Sequence, residues 1–468
     1  ATDDFFRSRI DHMIDLRHPL AVLASRMPWQ EIEARVAQVF SRKGRAGALM
    51  PDLDLFGEQV QRAAVSSNAG RPRVPLRIMI ALLYLKHAFN ESDEGVVERW
   101  GETPTWQFFS GQAYFEHHRP CDATTLIKFR QLLGEEGVEE LLAQTINVAV
   151  DLQLIKPQEL TRVIVDSTVQ HKAIAHPTDS RLLEVARAKL VEAAKDVGID
   201  LKQTFAKEGK ELTRKAARYA HARQFKRMKR AIKRQRTIVG RLQREVDRKA
   251  SAIGSAVRQA LGEILNKARR IVDQSGQRKA VNGQRKLYSF HAPEVECISK
   301  GKARTPYEFG VKVGIASTLN GNLIVGARAF HGNPYDGHTL HEQLEQATIL
   351  EQERKLLKRR QAIEPIIGHL KADHRMDRCH LKGERGERLH AVLCAAGYNI
   401  RWLLRMIIKK GVAFLPFVLL CLHQASGLGR SWVASVMAPG LGTAQTWLSA
   451  HHASNLHGRP GAHASVSA

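Results

Sequence analysis

Glu364 is the acid in this sequence whose neighbours best suit chemistry on a phosphate. It lies four residues after Arg360 and seven before Lys371. Seven residues are two helical turns, so a helix that begins near Glu364, with Pro365 in its first turn, places Glu364 and Lys371 on one face. A carboxylate at a helix N-terminus between cations stays ionised, as a metal ligand must. In isolation, such a pattern is more often a surface salt-bridge cluster.

Asp166 is the second candidate for such chemistry. It ends the β-branched run that begins at Arg162, which predicts a buried strand with an acid at its end. Two-metal phosphoryl transfer needs several carboxylates that converge on two Mg²⁺ (or Mn²⁺) ions about 4 Å apart. A strand holds its terminal acid rigidly, and a helix packed on the sheet can supply another ligand. For Asp166 alone, a strand-end turn or cap is the alternative.

A hairpin and two helices are predicted to position these acids. Residues 309–317 and 323–330 are rich in Val, Ile and Ala and flank the turn Asn320-Gly321, which predicts the hairpin. Residues 338–361 contain no Gly, Pro or Asp and predict one long charged helix. Residues 389–407 predict another helix, with Cys394 in the core.

Residues 179–273 predict a long helical insertion between the first strand and the hairpin. Seven positions in it follow the spacing of a coiled-coil or helical-hairpin seam, within or between chains. They hold Phe225, Met228, Ile232, Gln235, Val239, Leu242 and Val246. From Arg214 to Lys249 the chain has 15 Lys and Arg against two acids. A solvated helix surface is the alternative, but so strong a bias favours contact with the DNA backbone. The candidate DNA-binding residues are Arg223, Lys226, Arg227, Lys229 and Arg230.

The two ends of the chain differ in character. Residues 1–150 predict short apolar helices separated by tight turns, as in helix-turn-helix units or in generic helix packing. We therefore expect a helical N-terminal domain of a DNA-binding type over 1–150. Residues 427–468 are rich in Gly, Ser and His with few acids, which predicts a poorly ordered tail.

Composition indicates a polyanion as the partner. Lys and Arg outnumber Asp and Glu by 72 to 47, a net charge of +25, so nucleic acid is the first candidate and an anionic membrane its rival. No apolar run approaches the ~20 residues that a membrane span needs, and the N-terminus does not resemble a signal peptide. The five cysteines form no Cys-x-x-Cys pair, which indicates a reducing compartment, and we expect no zinc site.

Four motifs follow one another in an informative order. They are the run 163–168, the block 307–313, the segment 332–339 and the spacing Arg360-x3-Glu364-x6-Lys371. In this order they resemble bacterial insertion-sequence transposases of the insertion-sequence-five group, over residues 50–407. These are DDE enzymes with an RNase-H-like catalytic domain. The resemblance implies Mg²⁺- or Mn²⁺-dependent cleavage of the element's terminal inverted repeats, followed by strand transfer by the freed 3′-hydroxyl.

The resemblance also implies roles for individual residues. Asp166 matches the first catalytic acid and Glu364 the third, so both are expected to be metal ligands. Arg360 and Lys371 match the basic partners of the third acid, where they would hold DNA phosphate and orient Glu364. The tyrosine that the family has three residues before Arg360 is Leu357 here.

The second acid of the family has no clear counterpart. The family places it at the end of a fourth strand, after the hairpin and a helix. Asp336 matches the turn before that strand, so it is a turn residue or a replacement catalytic ligand. The 28 residues from Asp336 to Glu364 hold no further Asp and are too few for a helix, a strand and a crossover. We infer that an internal segment is absent, which would leave a three-stranded antiparallel sheet and severely impaired catalysis.

The predicted fold is α+β and mostly helical. The helical N-terminal domain precedes a truncated RNase-H-like domain over 160–410, which the basic insertion interrupts. The predicted function is a DNA transposase that acts as a homodimer on double-stranded terminal repeats and target DNA, in the bacterial cytoplasm at the nucleoid. One alternative is a catalytically inactive DNA-binding remnant that inhibits transposition. Another is a generic basic scaffold or RNA-binding protein.

Overall fold

The structure is a computed structural model. It describes residues 9–41, 74–160, 162–275, 285–299, 306–340, 342, 355–356 and 360–410. The predicted tail over 427–468 and most of the predicted charged helix over 338–361 lie outside the described residues. The described part is mostly helical with one mixed sheet, so the α+β prediction is confirmed.

Helices make up the described chain before the first strand, and most are short as predicted, but the helix Ala123–Asp151 has 29 residues. They are α1 (Ile10–Met13), α2 (Pro19–Arg26), α3 (Trp29–Ser41), α4 (Leu76–Ala88), α5 (Asp93–Glu102), α6 (Pro104–Phe109), α7 (Ala123–Asp151) and α8 (Pro157–Leu160). Helix α4 is apolar on all sides and is buried from Ile78 to Ala88, as a central core helix must be. Gly134 has a φ of 70° and kinks α7, which continues beyond it.

A mixed sheet forms the centre of the fold. Its strands are β1 (Arg162–Lys172), β2 (Glu296–Ile298), β3 (Glu308–Thr318), β4 (Ile324–Phe330), β5 (Lys355–Leu356) and β6 (Arg378–Cys379). β1 and β3 are antiparallel and pair from Val163 with Thr318 to His171 with Gly310. β2 and β4 share the far edge of β3, and β5 and β6 pair in parallel with β1.

Three predictions about this sheet need correction. The predicted hairpin is present as β3 and β4, but the described sheet has six strands rather than three. Asp166 does not end its strand, because β1 continues to Lys172. Lys355 and Leu356 were expected inside a long helix, yet they form β5, since pairing with β1 supplies hydrogen bonds that local helical pattern does not reveal.

Among the described residues, four helices lie between β1 and β2. They are α9 (Asp179–Asp196), α10 (Ala206–His221), α11 (Phe225–Ile253) and α12 (Ser255–Gln274). This part of the chain is thus helical, as predicted. The four helices contribute to a hydrophobic cluster separate from the main core. The seam of α11 packs against α9, α10 and α12 of the same chain. Its buried side chains are Ala231, Gln235, Ile238, Val239, Leu242, Val246 and Ala250.

The seam therefore differs from the predicted one at its start. Phe225, its predicted first position, is 55% exposed because the bundle core begins near Ala231. The polar seam position Gln235 is satisfied: its amide donates to Thr213 Oγ1 over 2.9 Å and accepts from Ser180 Oγ over 2.8 Å. This network connects α9, α10 and α11 and fixes their register.

Two helices complete the core, α13 (Arg360–Asp373) and α14 (Gly383–Lys410). The helix predicted to begin near Glu364 begins at Arg360 instead, so Pro365 lies inside α13 and removes one helical hydrogen bond. By length and composition, α14 is the one described helix that could cross a membrane, but 78% of its apolar window is buried inside the fold. Helix α14 packs on α4, α7 and β4, as a core helix.

One hydrophobic core includes side chains from α2 to α7, from the sheet and from α13 and α14. The helices before residue 150 thus share their core with the sheet. The division into domains at 150 and 160 stays a prediction.

Candidate active site

Asp166 lies near the middle of β1, opposite Ile315 of β3. The β-branched residues before it favour the extended backbone, and Val163 and Ile164 are buried in the core. The Asp166 side chain is half-buried, and its Oδ1 accepts a hydrogen bond from the backbone N–H of Ser167 over 2.8 Å. A central strand thus holds this carboxylate at a fixed place near the surface of the sheet.

The second edge of β1 is paired only at its two ends within the described chain. β5 lies beside Arg162 and Val163, and β6 lies beside His171 and Lys172. Over 164–170, which includes Asp166, the described residues provide no strand on this edge. Within the described chain, pairing on this edge is thus seen only at β5 and β6.

Glu364 is exposed on α13, the helix that packs against β1. The opposite side of α13 is apolar, and Ile363, Ile366 and Leu370 are buried. Because both residues lie within one helix, the seven-residue spacing places Glu364 and the half-buried Lys371 on one face, as predicted. The side chain of Arg360 lies outside the description.

Asp336 begins a helical turn at 336–340. Its Oδ1 accepts from Ser167 Oγ and from Lys312 Nζ, both over 3.0 Å. Neighbouring residues of a strand point to opposite faces, so Ser167 directs Asp336 to the face of the sheet opposite Asp166. The carboxylate of Asp336 thus binds a hydroxyl and a lysine.

These positions bear on how a divalent cation could be held. Asp166 and Glu364 lie on two elements packed together, and their carboxylate oxygens are the hard ligands that Mg²⁺ and Mn²⁺ prefer. Asp336 binds Ser167 and Lys312, which the alternation of the strand places on the face opposite Asp166. Asp166 and Glu364 alone are fewer carboxylates than a two-ion site needs.

The five predicted DNA-binding residues come together at one end of the α10–α11 hairpin. Arg223 lies in the turn with a φ of 53°, and Lys226, Arg227, Lys229 and Arg230 lie in the first turns of α11. All five are exposed. The structure thus concentrates these charges at a single surface, which the sequence run alone could not establish.

A buried charged cluster was missed by reasoning from sequence. Lys172 of β1 contacts Glu294 Oε1 over 2.7 Å and Glu387 Oε1 over 3.0 Å, and all three side chains are buried. Burial raises the pKa of Glu387 to about 7 against the pull of Lys172. No sequence pattern connects three residues this far apart, so no signal could have found the cluster.

His87, His390 and Cys394 form a second buried group, with one potential ligand atom from each within 4.8 Å of the others. Burial lowers the pKa of His390 to about 3 and raises that of Cys394, so both are neutral. His390 Nε2 donates to the carbonyl of Arg375 over 3.0 Å, so that nitrogen carries a proton and no free lone pair. Burial lowers the pKa of His87 well below its usual value, and the charges of Lys86 and Arg375 lower it further; these charges also oppose a metal cation there.

Comparisons with known proteins cover both halves of the chain. Residues 47–132 match the family described as a transposase domain (DUF772), and residues 334–404 match the transposase DDE domain. A Rhizobium meliloti protein, named as uncharacterized protein ORF8 in the nfe locus, is 43% identical over 223 residues, which are 48% of this chain and 95% of that protein. No solved structure matches significantly. Asp166 lies outside both matched ranges, whereas Asp336, Glu364 and Lys371 lie inside the second.

Proposed function

We propose that this chain, which belongs to the DDE-type transposases of bacterial insertion sequences, binds the terminal inverted repeats of its own element. Its ancestral reaction is metal-dependent cleavage at those ends and strand transfer to target DNA. We further propose that this copy catalyses the reaction poorly because its second catalytic acid is absent. The site of action is the bacterial nucleoid, and the DNA-bound form is a homodimer.

The packing of α13 against β1 is the observation that carries this proposal. It brings together the two elements that bear Asp166 and Glu364, the matches to the family's first and third acids. A helix that carries Glu364 and Lys371 on one face, packed against the strand that carries Asp166, suits an enzyme that must hold a metal and a phosphate next to each other.

In this proposal, Asp166 and Glu364 would hold a divalent metal ion. Mg²⁺ or Mn²⁺, when bound, would activate the attacking oxygen and stabilise the leaving 3′ oxygen. Lys371 would hold the DNA phosphate beside Glu364, and Arg360 has the same role by family resemblance. The missing second acid is the reason that we expect turnover to be severely impaired.

The short stretch of sequence between Asp336 and Glu364 supports the absence of a segment. These 28 residues are too few for the helix, the strand and the crossover that the family has there. No Asp lies between Asp336 and Glu364 in the sequence. Both observations agree with the loss of a segment between residues 350 and 360.

The second candidate function is a non-catalytic DNA-binding protein that occupies the repeats and inhibits intact copies. The exposed cations of the α10–α11 hairpin favour it, because phosphate binding there does not depend on the acids. Homodimer formation is common to both functions.

Gel-shift titrations separate these functions from a generic basic protein. The probe is the DNA that flanks the gene, compared with a scrambled duplex of equal length, in EDTA. We expect tighter binding to the flanking DNA at every salt concentration. Equal affinity for both duplexes, with a shared salt dependence, would show a sequence-independent polyanion binder and contradict the proposal.

A further inference from the structure

The tip of the α10–α11 hairpin is an exposed basic feature of the described chain. Three residues join the helices, and Arg223 adopts a left-handed conformation within that turn. Residues 221–227, 229 and 230 are all exposed, and the buried seam begins only at Ala231. The six residues 225–230 extend α11 by ~9 Å beyond that point. The tip therefore projects from the four-helix bundle.

The charge of this tip has one sign. Between Arg214 and Arg236 the sequence has eleven Lys and Arg and no Asp or Glu. Two of these cations meet acids of α10: Lys215 pairs with Glu211, and Arg234 pairs with Glu208. The tip cations Arg223, Lys226, Lys229 and Arg230 form no ion pair with any residue that the structure describes. Unneutralised charge on a projecting element is complementary to a phosphate backbone.

Phe225 stands at the end of this basic tip. It is the first residue of α11, its side chain is 55% exposed, and Arg223 and Lys226 flank it in the sequence. One exposed apolar side chain needs no explanation by itself. Its position in the first turn of α11, with exposed cations before and after it in the sequence, is what distinguishes it. DNA-bending proteins use this combination, in which cations hold the phosphates and an apolar wedge enters between base pairs.

We propose that Phe225 is such a wedge and inserts between neighbouring base pairs of duplex DNA, while the tip cations hold the phosphates on either side. This inference rests on the proposed function, which makes DNA the substrate, and adds a deformation of the duplex to it. A wedge binds best where stacking is already weak, because less free energy is spent on opening the step. The tip therefore selects deformable DNA rather than a base sequence.

Binding of the full chain to two short duplexes of one arbitrary sequence tests this. One duplex is intact and the other has an abasic site at its centre. We expect the unaltered chain to prefer the abasic duplex by about 5- to 150-fold, the range that stacking of one aromatic side chain supplies. Phe225→Ala should bind both duplexes equally and keep the salt dependence. Circular dichroism verifies that the variant is folded.

Ile253→Ala is the matched control. Ile253 ends the same helix, is 56% exposed and lies at its opposite terminus, so the abasic preference should persist in this variant. If the unaltered chain binds both duplexes equally, or if Phe225→Ala prefers the abasic duplex as strongly as the unaltered chain does, the wedge is overturned. Both outcomes leave the proposed function intact. No binding to either duplex, nor to the DNA that flanks the gene, overturns the proposed function and the wedge together.

Discussion

Glu387→Gln is the substitution whose effect should depend most clearly on pH. Glu387 lies in α14 with its side chain 1% exposed, and only its Oε1 has a hydrogen bond among the described residues, from Lys172 Nζ. Its Oε2 lies 3.6 Å from His331 Nδ1. Burial raises the pKa of Glu387 from 4.5 to about 7, and the nearby acids Glu294 and Glu296 add to this. The ionised form is thus disfavoured in the folded protein.

The sign and size of the effect follow from the two pKa values. The folded chain keeps the Glu387 proton up to about pH 7, whereas the unfolded chain releases it near 4.5. The proton therefore stabilises the fold fully below 4.5, and this contribution is lost as pH rises through 7. The difference corresponds to about 3 kcal/mol. Glutamine does not titrate, so the free energy of unfolding of Glu387→Gln relative to the unaltered chain should rise by that amount from acid to mildly alkaline pH.

Urea denaturation below pH 4.5 and above pH 7 measures this change in the free energy of unfolding. Glu294→Gln is the matched control. Glu294 contacts the same lysine, and although burial raises its pKa, the hydrogen bond from Lys172 lowers it overall. The Glu294 carboxylate stabilises the fold above its unfolded pKa, so Glu294→Gln should lose relative stability as pH rises. Equal pH trends for the two variants, or no pH trend for Glu387→Gln, would refute the reasoning.

Three further substitutions test the packing of the core in urea or acid. Asn399→Ala removes an amide that bonds both the N–H and the carbonyl of Ile324, and should lower the free energy of unfolding by about 2–4 kcal/mol; a loss below ~1 kcal/mol would contradict this assignment. Gly397→Ala places a Cβ 2.4–2.9 Å from atoms of α4 and should cost about 1–3 kcal/mol, while Gly262→Ala, which meets nothing within 4 Å, should be neutral or stabilising. Equal effects of the two alanines would contradict the close approach of α14 to α4. Asp93→Asn removes a carboxylate whose pKa is about 2, because Arg130 and Lys86 lower it more than burial raises it. The variant should be less stable above about pH 4, and the pH dependence of stability between pH 4 and pH 2 should disappear. Acid titrations followed by circular dichroism measure both effects. An unchanged acid transition would show that Asp93 is not the titrating group.

Local patterns were sufficient to predict much of the fold. The β-branched run at 162–165, the hairpin on either side of Asn320-Gly321 and the apolar helix α4 all have side chains that fit one backbone state and one buried face. The seam of α11 was predicted correctly from Gln235 onward, because hydrophobic spacing reports which face is buried.

Features that depend on distant partners were not predictable. β5 forms because β1 is beside it, and Phe225 is exposed because the bundle ends near Ala231 rather than where the heptads begin. Asp336 could be placed on the far face of the sheet only once its bonds to Ser167 and Lys312 were known. In each case, tertiary contacts outweigh the local pattern.

Only those residues of the candidate site that belong to a recognisable motif could be predicted from the sequence. Asp166 and Glu364 stood out by residue type and spacing, and the structure places them on elements that pack together. Their roles as metal ligands stay predictions. The buried pair of Lys172 and Glu387 gave no signal, because neither residue belongs to a recognisable spacing.

Metal-dependent cleavage of the DNA that flanks the gene tests the central claim most directly. The unaltered chain is compared with a chimera that carries, between residues 350 and 360, the corresponding segment of an intact relative. We predict that both bind this DNA, that only the chimera cleaves it with Mg²⁺ or Mn²⁺, and that Asp166→Asn or Glu364→Gln abolishes the chimera's cleavage. Robust cleavage by the unaltered chain that disappears in Asp336→Ala would contradict the account, because Asp336 would then be the second catalytic acid.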